Sequence, residues 1–465
     1  MKMKSSISLA VSAVLASGLF ATQASAAGFA LIENSASGMG NAFAGGSAIA
    51  DDASTVWFNP AGMTRLKGSQ MTVGGHIIMT SADFTNQGST DVLTGPLSGS
   101  EDDGGITSVV PNFYYVTDLG GDAWFGLGIT VPFGLSTEYD EGWVGRYGAT
   151  TSEVSTINFN PSFAFKHSDA LSIGLGLNIQ YIEAALENEL DSGVICAGVV
   201  AGAGNIPAPA DFATCAGLPL PLTADTRALD SSQSLEGDDW NLGWNIGVLY
   251  DLDEASRVGF AYRSSMDANL HGRVDFEQST ELSAFISSLA SPANALFSDT
   301  GINAGIELPA QLSVSYFRDV TPDFAIMADI TWTEWSNFNA LVVKFDNLVQ
   351  STSVTPENWE DSYRFAIGAN YRTSDTVLLR MGVAHDQTPI PSPEDRTARI
   401  PGDDRTWLSF GVGYKLDAET SIDVGYSHLF VSDTEINNTD AFGHTLTGEY
   451  DADVNILSVQ GNFKF

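Results

Sequence analysis

The sequence predicts an all-β transmembrane barrel of fourteen antiparallel strands. Three observations lead there: long runs of strict alternation, connections that alternate between short and long, and a final strand ending on an aromatic residue. Side chains of a β-strand point alternately to opposite faces. In residues 171–181 every odd position is apolar and every even one small or polar. Leu408, Phe410, Val412, Tyr414 and Leu416 alternate with Ser409, Gly411, Gly413 and Lys415. Phe324, Ile326, Ala328, Ile330 and Trp332 alternate with Met327, Asp329 and Thr331. At the C-terminus Leu457, Val459, Gly461, Phe463 and Phe465 share one face, with Ser458, Gln460, Asn462 and Lys464 on the other. Soluble strands usually run about 5–6 residues, whereas a tilted membrane strand needs about 9–11. These runs suit the membrane.

Taken in order, the strands fall at 69–83, 106–118, 122–134, 152–167, 170–187, 238–251, 255–277, 304–319, 322–347, 359–373, 375–388, 403–416, 420–435 and 447–465. The ninth is read as one strand, although residues 337–347 alone could form another, because bacterial barrels use even strand numbers. Tight turns such as Asp118-Leu-Gly-Gly-Asp122, His167-Ser-Asp169 and Thr373-Ser-Asp375 alternate with longer segments near 84–105, 135–151, 188–237, 278–303, 348–358, 389–402 and 436–446. Short periplasmic turns and long outer loops are the outer-membrane pattern. A soluble sandwich has no reason to sort its loops by parity.

The N-terminus agrees with that location. Lys2 and Lys4 precede an apolar run at 9–21 and then Ala24-Ser25-Ala26. A basic start, a short apolar core and an A-x-A site describe a cleavable signal peptide, residues 1–26, leaving Ala27 as the mature N-terminus. No later stretch has about 18 consecutive apolar residues, so no transmembrane helix is expected. Charged residues make up only 17%, against about 25% in an ordinary soluble domain. The net charge of −37 excludes nucleic acid, which requires clustered cations. Acidic runs such as Glu101-Asp102-Asp103 and Asp403-Asp404 are read as solvated loop faces rather than cation sites. Cys196 and Cys215 lie in one segment of an exported chain, which predicts a loop disulfide. No histidine cluster accompanies them, so neither a metal nor a cofactor is expected.

Residues 27–68 do not alternate. The stretch 35–50 is rich in small residues and predicts short helices, Asp51-Asp52 begins another turn, and Asn59-Pro60-Ala61-Gly62 reads as a turn. Chemistry alone leaves two readings open, a periplasmic linker or a plug inside the lumen. Ala27-Gly28-Phe29, Ser37-Gly38, residues 48–53 and Asn59-Pro60-Ala61 resemble the N-terminal hatch of the FadL family of long-chain fatty acid and hydrocarbon transporters. The resemblance continues through Tyr363-Arg364, Ile400-Pro401, Asp404-Arg405, Trp407-Leu408-Ser409 and Phe465. It implies a hatch at 27–68, with Ala27, Gly28, Asn59, Pro60 and Ala61 among its residues, inside a barrel at 69–465.

The resemblance further implies that a hydrophobic ligand is captured among the outer loops, passed to a lumenal pocket and released sideways beside a kinked third strand. Here the third strand runs into Pro132-Phe133-Gly134, and a proline removes a ladder donor. On residues alone this is also how a strand simply ends. Leu135, Tyr139, Trp143, Val144 and Tyr147 follow, large apolar groups for an exposed segment. They read either as a binding surface or as interfacial aromatics, and Leu135, Trp143 and Tyr147 are carried as ligand candidates. Phe29 resembles the hatch residue that reaches the pocket. By parity Arg263, Arg364, Arg380 and Lys415 face the lumen, ordinarily as members of ion-pair ladders with Asp329 or Asp361. Arg364 and Arg380 are the candidates to meet a carboxylate head. The fatty acid transporter resembled has a basic residue in its fifth strand where this chain has Glu183, a departure that leaves room for an uncharged hydrocarbon.

Two other classes compete. A barrel enzyme needs a nucleophile or base with an orienting partner. His76, His167, His271, His385, His428 and His444 are scattered, His385-Asp386 is the one adjacent acid–histidine pair, and no G-x-S-x-G elbow occurs. A general porin would not fill its lumen with a plug. The expected partners are a long-chain fatty acid or other hydrophobic small molecule, outer-membrane lipid with lipopolysaccharide, and the barrel assembly machinery. The chain is expected to be monomeric.

Overall fold

In the computed structural model, residues 28–93, 95–202 and 207–465 are described; the expected signal peptide, residues 1–26, and Ala27 lie outside them. Fourteen antiparallel strands follow one another around a closed wall. They are Ser69–Asn86, Thr107–Gly120, a third in two pieces (Ala123–Thr130 and Gly134–Glu138), Thr151–Lys166, Leu171–Leu190 and Ser231–Asp251. The seventh comprises Ser256–Arg263 and Met266–Glu277, the eighth Thr300–Leu308 and Gln311–Thr321, the ninth Phe324–Thr333 and Ala340–Phe345, and the tenth Ser353–Pro356 and Ser362–Arg372. Val377–Asp386, Arg405–Lys415, a thirteenth in two pieces (Thr420–Val431 and Thr434–Thr439) and Thr445–Lys464 complete the set. Closure is direct. The first strand pairs with the fourteenth from Gln70↔Lys464 to Asn86↔Gly448.

The lipid face reads as predicted. Leu457, Val459, Phe410, Val412, Ile326 and Ile330 are exposed, whereas Ser458, Gln460, Ser409 and Asp329 are buried in the lumen. The ninth strand is indeed one strand, since both its pieces pair with the eighth. It is interrupted by a turn at Trp335–Asn337. The sixth strand starts at Ser231, earlier than the expected 238. Its first residues rise above the membrane band, where nothing requires apolar side chains on one face, so the alternation that would reveal them is missing.

The N-terminal segment is a plug. Three short helices, Ala36–Met39, Gly46–Ile49 and Thr55–Phe58, lead into a 3-10 helix, Pro60–Arg65. Asn59-Pro60-Ala61-Gly62 is therefore a helix start rather than a turn. Asn59 Oδ1 accepts the Ala61 N–H at 3.0 Å, and Pro60 supplies a preset φ where no N–H is needed. Asn59 Nδ2 donates to Ser47 O and to Val248 O of the sixth strand.

Two features seat the plug. Lumenal glycines let backbone meet backbone: a methyl at Gly247 would overlap Asn59 Oδ1, and one at Gly382 would overlap Asn41 O. Three wall arginines donate to plug carbonyls, Arg257 to Ala48 and Ile49 (2.6 Å each), Arg263 to Trp57 (2.9 Å) and Arg364 to Ala42 (2.6 Å). Helix C-terminal carbonyls lack intrahelical partners and favour cations.

Candidate functional site

The described chain begins at Gly28, whose φ of +63° and closeness to Trp335 and Trp359 exclude a side chain. Its neighbour Phe29 is buried in an aromatic cluster. Ring centroids lie 4.8 Å from Trp335, 5.7 Å from Phe338, 5.8 Å from Trp359 and 6.0 Å from Phe133. One side chain thus joins the plug, the break in the third strand and the interruptions of the ninth and tenth strands.

Phe29 also lines an apolar pocket. Leu135, Val154, Ala184, Leu235, Leu270, Ile302, Ile306, Phe338 and Ile400 form most of the remaining wall, with buried Glu357, half-buried Arg399 and exposed Glu236 as its ionisable groups. Glu357 follows the outer piece of the tenth strand, and Arg399 lies in the long outer segment between the eleventh and twelfth. Burial pushes the Glu357 carboxyl up to about 8, against the pull of Arg399. Burial lowers Arg399 to about 10, and Glu357 offsets part of that. At neutral pH, of this pair, Arg399 is a cation and Glu357 a neutral acid. Arg399 Nη1 donates to Thr151 O at 3.1 Å and Ser152 Oγ at 3.0 Å. Leu186, Leu235, Leu341, Val343 and Arg399 also border an outer vestibule of about 1460 Å³, where Tyr147 and Val144 lie. The pocket therefore continues outward.

The third strand is broken where the sequence places Pro132-Phe133-Gly134. Its ladder with the second strand stops at Phe113↔Ile129. Among the described residues, 108–112 are registered with the first strand alone, and Pro111 falls in that stretch. The plug takes up the opened backbone: Leu31 N–H donates to Pro132 O and Gly134 N–H to Phe29 O, both at 2.8 Å. The Thr156 hydroxyl completes the break, accepting from Phe133 N–H (3.0 Å) and donating to Phe133 O (2.6 Å).

Several expected positions resolve differently. Trp143 is fully buried and stacks on Tyr139 at 4.0 Å; Leu135, Val144 and Tyr147 are buried too. This segment is not an exposed patch, because its apolar groups pack into a core shared among outer loops. At its centre Arg146, absent from the sequence reading, donates to Asp230 (2.8 Å), Asp225 (3.0 Å) and Ser98 O (2.5 Å). Cys196 and Cys215 are joined as a disulfide between the helices Ser192–Ala201 and Pro209–Ala216. Beside them His444 contacts Asp191 and Asp440. Burial opposes its charge, but the two carboxylates outweigh burial and raise its pKa to about 9.

Lumenal charges are also reassigned. Arg380 pairs with Asp423 at 2.6 Å. Asp329 accepts from Ser315 and Thr331, and Asp361 from Trp332 and Ser336. Glu183 is exposed on the outer face, between buried Ile182 and Ala184. It does not reach the pocket, so it is no departure there; the pocket cation is Arg399, from a loop. His385 and Asp386 point to opposite sides of the wall, the first exposed and the second buried.

A closed fourteen-strand barrel with a plugged lumen and an apolar pocket is the architecture of an outer-membrane transport protein. The chain belongs to the family described as outer membrane protein transport protein (OMPP1/FadL/TodX), whose model matches residues 17–465. It is 33% identical over 429 residues to the long-chain fatty acid transport protein of Escherichia coli O6:H1, spanning 92% of this chain and 90% of that one. It is 32% identical over 434 residues to outer membrane protein P1 of Haemophilus influenzae, spanning 90% and 89%. A Pseudomonas aeruginosa FadL homologue superimposes with a TM-score of 0.84 at 25% identity, covering 94% of this chain and 100% of that one. The Pseudomonas putida toluene transporter TodX shares the fold, with a TM-score of 0.65 at 17% identity over 94% and 99% of the two chains.

Proposed function

We propose that the protein carries long-chain fatty acids and related hydrophobic compounds passively across the outer membrane. The observation that carries this reading is the apolar pocket, closed below by the plug, continuous with an outer vestibule, and lined by one half-buried cation, Arg399. Each buried methylene gains about 0.8 kcal/mol, so a chain of ten would gain roughly 8 kcal/mol before the cost of association. A water-filled pore gives such a molecule nothing. In this reading the vestibule bordered by Tyr147 captures the ligand. Phe29 and Leu135 line its pocket, Arg399 faces its head, and the break at 131–133 is the sideways exit. Arg364 and Arg380 hold the plug and the wall rather than meeting ligand in this pocket.

An uncharged aromatic or aliphatic hydrocarbon is the second reading. The bonds Arg399 already makes to Thr151 and Ser152 favour it, since they occupy donors that a carboxylate would use. Uptake of radiolabelled oleate by transporter-null cells expressing the protein decides between them. Oleate import supports the first reading. Failure to import oleate, with growth on alkanes or aromatics restored, moves the assignment to the second.

A further inference from the structure

The lumen holds another chamber, more polar than the apolar pocket. Phe29 lines the pocket, while the next three residues, 30–32, line this second space. Hydroxyl and amide groups such as Ser313, Thr331 and Asn245 make up much of its wall, together with Arg263, Arg364 and Asp386.

Its unsatisfied atoms share one character. Asn245 is buried, and its Oδ1 accepts from Asn160 Nδ2 (2.8 Å) and Asn178 Nδ2 (3.2 Å). Those bonds fix the amide and leave Nδ2 with no acceptor. Arg364 is also buried and spends Nη2 on Ala42 O, and its Nε and Nη1 have none. Arg263 donates to Asn178 and Trp57 O, and among the described residues Asp386 is the one carboxylate in the lining. Buried donors without acceptors are costly and rare. A set made only of donors, beside the further guanidinium of Arg263, matches a group that only accepts, as a carboxylate does.

We propose that this chamber is a second ligand station, where Arg364 and Asn245 receive the carboxylate of an acidic amphiphile that has passed the apolar pocket. The inference rests on the fatty-acid reading above and adds a headgroup site to it. Crystals of the full-length mature barrel soaked with bromohexanoate, and separately with bromohexanol, test it directly. The acid is expected in the chamber with its carboxylate on Arg364, and the alcohol is not. Ordered water alone in the chamber, or the alcohol bound equally well, overturns the proposal.

In solution, Asn245→Leu lowers bromohexanoate affinity about tenfold by calorimetry, the factor expected from one lost hydrogen bond to a charged group. An equal loss for acid and alcohol overturns the proposal. Oleate uptake by cells separates this inference from the one beneath it. Uptake with a chamber that holds only water defeats the second station alone, and an occupied chamber without uptake defeats the transport reading alone.

Discussion

At the scale of single residues, Glu357 and Arg399 decide what the apolar pocket accepts. Below about pH 8 Glu357 is protonated and no longer offsets the charge of Arg399. As pH rises through that value Glu357 ionises and competes for the guanidinium, while Arg399, at about 10, stays charged. Oleate affinity is therefore expected to fall roughly tenfold between about pH 7 and 9, a loss equal to one pKa unit of interaction. Glu357→Gln removes the fall. Equilibrium dialysis with labelled oleate and oleyl alcohol checks it, and an equal fall for the alcohol would sink the idea. Neither residue was legible in the sequence, because both lie in outer segments without alternation. Parity did place Arg364 and Arg380 in the lumen, but it could not say that one holds a plug carbonyl and the other Asp423. The same parity, carried on from residues 171–181, puts Glu183 on the lipid side.

At the scale of elements, the third strand is where sequence and structure meet most closely. Proline marks an edge or a bulge, and the ladder does stop beside Pro132. The rest was hidden because it is long-range: Thr156 satisfies Phe133, and Leu31 satisfies Pro132. The outer loops were hidden for the same reason, since Arg146 reaches acids 79 and 84 residues away. Replacing Pro132 by Ile together with Gly134 by Val supplies an N–H and two β-branched residues, which favours continuing the ladder toward residues 108–112. Oleate uptake is expected to drop roughly tenfold, as when a gating element sets the rate. The barrel should keep its folded electrophoretic mobility. Normal uptake by a folded variant whose third strand is shown to be continuous would exclude sideways exit.

At the scale of the whole molecule, the membrane itself makes the fold readable. Lipid offers no partner to a backbone N–H or C=O, so every spanning segment must pair and the wall must close. The same lipid demands an apolar outward face, which repeats the period-two signal in strand after strand. The plug feels no such demand. Its small residues fit a linker equally well until Gly247 and Gly382 are seen against Asn59 and Asn41. What the plug does for the molecule is measurable. Barrels of 16–18 strands enclose an aqueous channel, and the lumenal face here is polar, with Ser409, Ser458, Gln460 and Asn178 along it. Removing residues 28–66 leaves the strands their own ladders, while freeing Arg257, Arg263 and Arg364 from the carbonyls they now hold. In planar bilayers that variant is expected to pass ions with conductance roughly tenfold or more above the intact protein. Circular dichroism retaining its β-signature shows that the wall survives. A folded, plug-free barrel that conducts no better than the parent would mean the outer loops, and not the plug, seal the lumen.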